Sequence, residues 1–245
     1  MTGLALAALI SGCSGHKSVE GDIKAGKSLA TQGKGAIPAC MACHGANGEG
    51  NAQAGYPRLA GLDYGYLAKQ MKDMARELPH GGVVTEPISR DYSATPRVYS
   101  DLTAFTPGVR KDPIMSGIAK QLSEADIKNI SAYYASLGYK ATPVSQEFQT
   151  LERGQDLALR GKPEYGLPGC VSCHAPDGEG FGADFPPLAG QPAQYIINQI
   201  NHWQRGERDN DPQGMMRAVA EQLTDADKVN VAAYYANRSL IVKGR

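Results

Sequence analysis

Residues 40–50 read CMACHGANGEG, and residues 170–180 read CVSCHAPDGEG, 130 positions later. The likeness continues beyond the two strings. Pro57-Arg58-Leu59-Ala60-Gly61 pairs with Pro186-Pro187-Leu188-Ala189-Gly190 at an offset of 129, and Tyr66 and Gln70 pair with Tyr195 and Gln199. Further on, Met115, Leu122 and Tyr133-Tyr134 pair with Met216, Leu223 and Tyr234-Tyr235 at an offset of 101. A chain that spells both ends of a unit twice is built from two copies of that unit. The change of offset places 28 extra residues in the first copy, within Leu78 to Pro113. This constraint comes before any reading of local structure: the 245 residues must form two similar small bodies.

Local signals are helical throughout. A short helix is expected from Asp22 to Gly33, ahead of the first CxxCH string, with a counterpart from Gln149 to Arg160. Asp63 to Glu77 carries Leu67, Met71 and Met74 at helical spacing behind a capping aspartate, and its partner runs from Pro192 to Arg205. The last helix of copy one opens at Ser123 with Asp126 three residues on, a capping-box pattern. Its stripe is Ile127, Ile130, Tyr134 and Leu137, and Gly138 fits a stop. Thr224, Asp227, Val231 and Tyr235 repeat that pattern in copy two. No alternating strand pattern is evident, so the expected fold class is all-α, as two tandem domains. The expected boundaries are 1–20 for a leader and tether, 21–140 for the first domain, 141–147 for a linker around Pro143, and 148–240 for the second domain.

The net charge is zero, which gives no support to nucleic-acid binding. The balance is uneven along the chain, however. Residues 13–145 hold 15 Lys/Arg and 12 Asp/Glu, against 10 and 13 from residue 146 onward. Such a split is either chance or a dipole that orients the molecule toward a partner. The first dozen residues lack charge, and Leu4 to Ile10 is an apolar run too short to span a bilayer. It reads as the hydrophobic part of an export signal, although no Lys or Arg precedes it. Cys13 follows in Ile-Ser-Gly-Cys, a string that resembles a bacterial lipobox. Lipidation of Cys13 would anchor the exported protein to a membrane through the polar tether that follows.

The remaining four cysteines carry the chemistry. Cys-x-x-Cys-His is the attachment signature of c-type haem. Thiols at i and i+3 of one helical turn face the same side, where they can bond the two vinyl groups of one porphyrin, and the next residue, His, reaches the iron. Cys40, Cys43 and His44 would hold one haem, and Cys170, Cys173 and His174 the other. A zinc site made from both motifs would have to pool four cysteines that lie far apart in sequence, and a thioredoxin-type pair would need a βαβ context that this sequence lacks.

The second axial ligand separates a carrier from an enzyme. Met115 and Met216 occupy matching places, each seven residues before the Leu that precedes the final helix cap, so each is the expected thioether ligand. Met215 adjoins Met216 and is an alternative. Met71 and Met74 fall on a helical stripe and are expected in the core. His16 lies in the tether, His80 has no counterpart, and His202 is expected to be structural or at the surface.

With CxxCH, P-x-L-A-G, a methionine and a Tyr-Tyr helix in each copy, residues 20–240 resemble the dihaem cytochrome c4 family, two tandem class I cytochrome c domains. The resemblance implies that the carbonyls of Pro57 and Pro186 orient the rings of His44 and His174. It implies an electron carrier in bacterial respiration that donates to a terminal oxidase and is reduced by a quinol-oxidising complex or a dehydrogenase. Alternatives are a permanently bound cytochrome subunit and a dihaem peroxidase. The paired methionines argue against the peroxidase, since an enzyme needs an open iron. The lipobox-like start and the long Leu78–Pro113 segment depart from the family pattern.

Overall fold

The computed structural model describes residues 20–76, 108, 110–140, 148–238 and 241–242. The leader with Cys13 and His16, His80, most of the Leu78–Pro113 segment and the 141–147 linker lie outside the described residues. Ten α-helices are described, besides two short 3-10 turns: α1 (Ile23–Gln32), α2 (Met41–His44), α3 (Tyr64–Ala75), α4 (Met115–Ala119), α5 (Glu124–Ser136), α6 (Phe148–Arg160), α7 (Val171–His174), α8 (Ala193–Gln204), α9 (Met215–Glu221) and α10 (Asp225–Asn237). The five helices α6–α10 repeat α1–α5 in order. Two short strands, β1 (Tyr139–Lys140) and β2 (Ile241–Val242), pair antiparallel with Tyr139 opposite Val242. The architecture is all-α, as two tandem domains.

The helix starts follow the sequence signals closely. The Asp22 carboxylate accepts the N–H groups of Lys24 and Ala25. Ser123 with Asp126 and Thr224 with Asp227 both form complete capping boxes at α5 and α10, satisfying N–H groups that a helix start leaves unpaired. The expected stop at Gly138 takes a different form. Helix α5 ends at Ser136, Leu137 is already extended at φ −75° and ψ 136°, and Gly138 is not among the left-handed glycines. The chain continues into β1 instead of reversing, so no left-handed residue is required there.

Each domain closes on its own core. In the first, Leu29, Leu67, Met71, Ile127, Ile130 and Tyr134 pack together; in the second, Leu157, Ile196, Ile200, Trp203, Val231 and Tyr235 do so. Met71 and Met74 are buried, as their helical spacing predicts. Within each core the first helix lies very close to the last. A Cβ on Gly26 would stand 2.0 Å from the Asn129 carbonyl oxygen, and one on Gly154 would stand 2.1 Å from that of Asn230. Only a hydrogen side chain permits these two crossings.

The domains meet through backbone as well as side chains. Arg110 and Arg208 form an antiparallel bridge, and the Lys111 N–H donates to the Glu207 carbonyl at 3.0 Å. Nearby, the Arg58 N–H donates to Gln191 Oε1 at 3.0 Å, and Gln191 Nε2 donates back to the Arg58 carbonyl at 3.1 Å.

Candidate functional site

Each CxxCH string folds as one helical turn. Cys40 leads α2 and Cys170 leads α7, both with right-handed helical backbone, so the two thiols of each motif share one side of the turn. All four are free thiols and partly buried. Burial raises the Cys40 thiol above its ordinary value and pushes Cys170 up to about 11. His44 and His174 end the turns, each 6% exposed.

The proximal rings are held as expected. His44 Nδ1 lies 3.0 Å from the Pro57 carbonyl oxygen, and His174 Nδ1 lies 2.8 Å from that of Pro186. A carbonyl only accepts, so Nδ1 carries the proton and Nε2 keeps its lone pair for a metal. Burial lowers the pKa of both rings, and the proline carbonyl works the other way. Burial prevails, and the net lowering favours a neutral imidazole ligand.

The glycine-acid-glycine strings explain how those prolines arrive. The Gly48 carbonyl accepts the N–H groups of Leu59 and Ala60, and the Gly178 carbonyl accepts those of Leu188 and Ala189. The Gly61 and Gly190 N–H groups in turn donate to the carbonyls of Tyr134 and Tyr235 on the last helices. Thus CxxCH, PxLAG and the Tyr-Tyr helix form one hydrogen-bonded frame in each domain.

The methionines are placed by a shared device that the sequence analysis missed. Asp112 Oδ1 accepts the Met115 N–H at 2.7 Å, and Asp211 Oδ2 accepts the Met216 N–H at 2.6 Å. A similar backbone contact to an aspartate is thus shared by Met115 and Met216. Met216 is partly buried against the second core, whereas Met215 is 38% exposed. In the second domain Cys170, Cys173, His174, Met216 and Tyr235 line a single cavity, which Met215 also borders. His202 is partly buried, with Nε2 3.8 Å from a Glu207 carboxylate oxygen, and does not line this cavity.

The wall of that cavity is completed from the other domain, by Tyr66, Lys69 and Gln70. Behind it lies a buried polar cluster. Gln70 Oε1 accepts from Arg110 Nη1 at 2.9 Å and Arg208 Nη2 at 3.2 Å. Gln199 Oε1 accepts from Arg110 Nη2 at 3.1 Å and Arg208 Nη1 at 2.7 Å. Two guanidinium groups and two amide oxygens therefore close a ring. Burial first, and then the charge of Arg110, lower the pKa of Arg208. A third cation, Arg58, is fully buried against the Tyr139 ring at 4.4 Å, with its Nε unpartnered. Burial pushes its pKa down to about 10.

Pairing of the repeats located Gln70, Gln199, Tyr66 and Tyr195, but not their role. Arg110 and Arg208 escaped detection because they stand at unequal distances, five and eight residues, ahead of their methionines. Among the described residues none of these three arginines is hydrogen-bonded to a carboxylate. Buried cations in that state call for negative charge. The carboxylate side chains of haem c would supply it, so the donor set and the charge of this interface both fit two haem groups.

Comparison with known proteins agrees. The cytochrome c family profile matches residues 23–138 and 152–238. A thiosulfate dehydrogenase electron acceptor from Thiomonas intermedia is 39% identical, over 82% of this chain and 79% of its own length. Cytochrome c4 from Azotobacter vinelandii is 34% identical, over 86% of this chain and 88% of its own. The crystal structure of reduced cytochrome c4 from Pseudomonas stutzeri superposes with a TM-score of 0.67 at 33% identity, covering 89% of this chain and 99% of that one.

Proposed function

This chain belongs to the cytochrome c family, as a dihaem electron carrier of the cytochrome c4 kind with two covalently bound haem c groups, and on that premise we propose that both irons are His/Met ligated and relay electrons from a periplasmic dehydrogenase toward a terminal oxidase. The observation that carries the ligand assignment is the twin constellation: a buried proximal histidine with Nδ1 held by a proline carbonyl, and a methionine N–H held by an aspartate, in each domain. Bound haem supplies a one-electron Fe(III)/Fe(II) couple. Cys40, Cys43, Cys170 and Cys173 anchor it, and His44 and His174 present Nε2. Met115 and Met216 would offer a thioether, a soft ligand that favours Fe(II).

The dehydrogenase side of the proposal is supported by the relative named as a thiosulfate dehydrogenase electron acceptor. The opposite charges of the two halves would orient the molecule between a donor and an acceptor. Cys13, as a lipidated residue, would keep the exchange at the membrane surface. No helix among the described residues is long and apolar enough to cross a membrane.

Stopped-flow mixing of the oxidised protein with purified thiosulfate dehydrogenase and thiosulfate tests the donor. Reduction of both haems within the turnover time of the dehydrogenase is expected; no reduction beyond that by thiosulfate alone would remove this donor. Reoxidation by oxidase-containing membranes, abolished by cyanide, tests the acceptor. Recovery of the protein only as a stoichiometric component of a larger complex would favour the bound-subunit reading.

A further inference from the structure

The ring at the interface crosses the domain boundary in a particular way. Arg110 belongs to the first domain, yet it donates to Tyr195 Oη at 3.0 Å and to Gln199, and both of these line the second cavity. Arg208 belongs to the second domain, yet it donates to Gln70 and interacts with Tyr66 of the first. Arg208 also borders the second cavity itself. The two positions are structurally equivalent, since the Arg110 N–H bonds the Asp73 carbonyl and the Arg208 N–H bonds the His202 carbonyl at matching places on α3 and α8.

Two like charges held in one ring repel each other, and burial removes the water that would screen them. At 6% and 4% exposure, neither arginine gains from solvent. Asp112 acts on Arg110 from a distance, and the carboxylate within the cluster's hydrogen bonds is Asp73. It is engaged by Lys69 at 2.8 Å, by Arg76 at 3.3 Å and by Asn210 Nδ2 at 2.8 Å. A core amide or apolar pair would avoid this repulsion, so the arginines act through their charge. That charge is felt in both domains because each guanidinium is bonded to side chains of both.

We propose that Arg110 and Arg208 form one positively charged clasp shared by the two haem stations, so that each arginine sets the reduction potential of the opposite domain's haem as well as its own. The inference rests on the reading that each domain holds one low-spin haem. A ferric haem carries one more positive charge than a ferrous one. A buried cation nearby therefore disfavours the ferric state and raises the potential. Because the clasp is common to both stations, removing one charge lowers both potentials.

The test is a spectroelectrochemical titration of the full-length dihaem protein, in which dissolved mediators exchange one electron with each iron. In Arg110→Gln both midpoint potentials are expected to fall, each by about tenfold in the reduction equilibrium, or about 59 mV for a one-electron couple. Arg208→Gln is expected to do the same. Arg110→Lys keeps the charge and is expected to leave both potentials within twofold of the wild type. Gln70→Glu places a negative charge against both guanidinium groups with little change in shape. It is expected to lower both potentials, and it keeps the question open to test if an arginine variant does not fold. A shift confined to one haem, no shift, or an equal fall in Arg110→Lys overturns the proposal. Wild-type spectra separate this outcome from failure of the underlying reading. If the wild type lacks two low-spin haems, the ligand assignment is wrong; if it has them and one potential alone moves, the clasp is wrong.

Discussion

The two domains reach one frame with different residues, and the second tolerates strain that the first avoids. Directly after the proximal histidine the chain must take a left-handed turn. The first domain uses Gly45, at φ 85°, and the second uses Ala175, at φ 65° and ψ 161°. Only glycine occupies that region without strain. The PxLAG string differs in the same spirit. Its second position is Arg58 in one domain, buried across the interface onto the Ala189 carbonyl at 3.1 Å, and Pro187 in the other. The shared hydrogen bonds to histidine and methionine survive both substitutions. The histidine rings and the methionine backbones are therefore held by backbone carbonyls and two aspartates, and the domains are free to differ in the cations around them.

The largest expected effect would break the comparison outright. Cys40→Ser with Cys43→Ser is expected to halve the haem-to-protein ratio and unfold the first domain, because the haem supplies much of the apolar centre of a domain this small. Pyridine haemochrome and far-ultraviolet circular dichroism read the two quantities, and native helical content in the haem-depleted protein would contradict the expectation. The equivalent change at Cys170 and Cys173 should act only on the second domain.

Next come the methionines proposed as distal ligands. Met115→Ala and Met216→Ala should each remove half of the far-red iron–thioether absorption of the oxidised protein, while Met215→Ala leaves it intact. A loss in Met215→Ala instead of Met216→Ala would transfer the role to Met215 and undo the matched-aspartate argument.

Gly26→Ala and Gly154→Ala sharpen the comparison at the level of packing. Each added methyl meets a carbonyl oxygen of the facing helix, and the crossing must open at a cost of about 1–3 kcal/mol. Similar losses in chemical denaturation are expected at both sites; an effect at one alone would show that only one crossing is tight.

The capping boxes should respond equally too. Asp126→Asn and Asp227→Asn are expected to cost about 1 kcal/mol each near neutral pH. Burial works to raise both carboxyl pKa values, but bonds from Ser123 and Lys34, and from Lys162 and Thr224, hold them below the ordinary aspartate value of 3.8. With the folded pKa below the unfolded one, the stabilisation is complete above that value and is lost as pH falls through the folded pKa. Denaturation midpoints followed into acid should fall less steeply in the double variant than in the wild type.

The smallest effect is expected at the strained turn. Ala175→Gly should stabilise the second domain by about 1 kcal/mol, since glycine's greater unfolded freedom offsets part of the relief. Gly45→Ala should destabilise the first, where a Cβ would meet the Glu49 carboxylate at 2.4 Å. A destabilising Ala175→Gly would mean that this turn is not strained.

Much of the site was legible because its signals are short-range and occur twice. CxxCH needs only one helical turn, the capping boxes span four residues, and Pro57 and Pro186 lie 13 and 12 residues from their histidines. Repetition marked Met115 and Met216 as special before any geometry was known. It favours Met216 over the adjacent Met215, and the Asp211 carboxylate that accepts the Met216 N–H supports the same choice. Gly138 marks the end of α5 correctly, directly after the C-cap Leu137, but not the form of the exit: a glycine after a helix fits a reversal or a continuation equally well, and β1 pairs with β2, about a hundred residues downstream.

The sequence alone determined that there are two copies, what each copy binds, and how each helix starts, because those properties reside in contiguous residues whose chemistry does not depend on distant partners. Only the tertiary structure decided that Arg58, Arg110 and Arg208 are buried between the copies. A buried arginine has no periodicity and no local signature. Its environment is set by where two independent surfaces dock, and here they dock so that the charges of each domain lie among the side chains of the other.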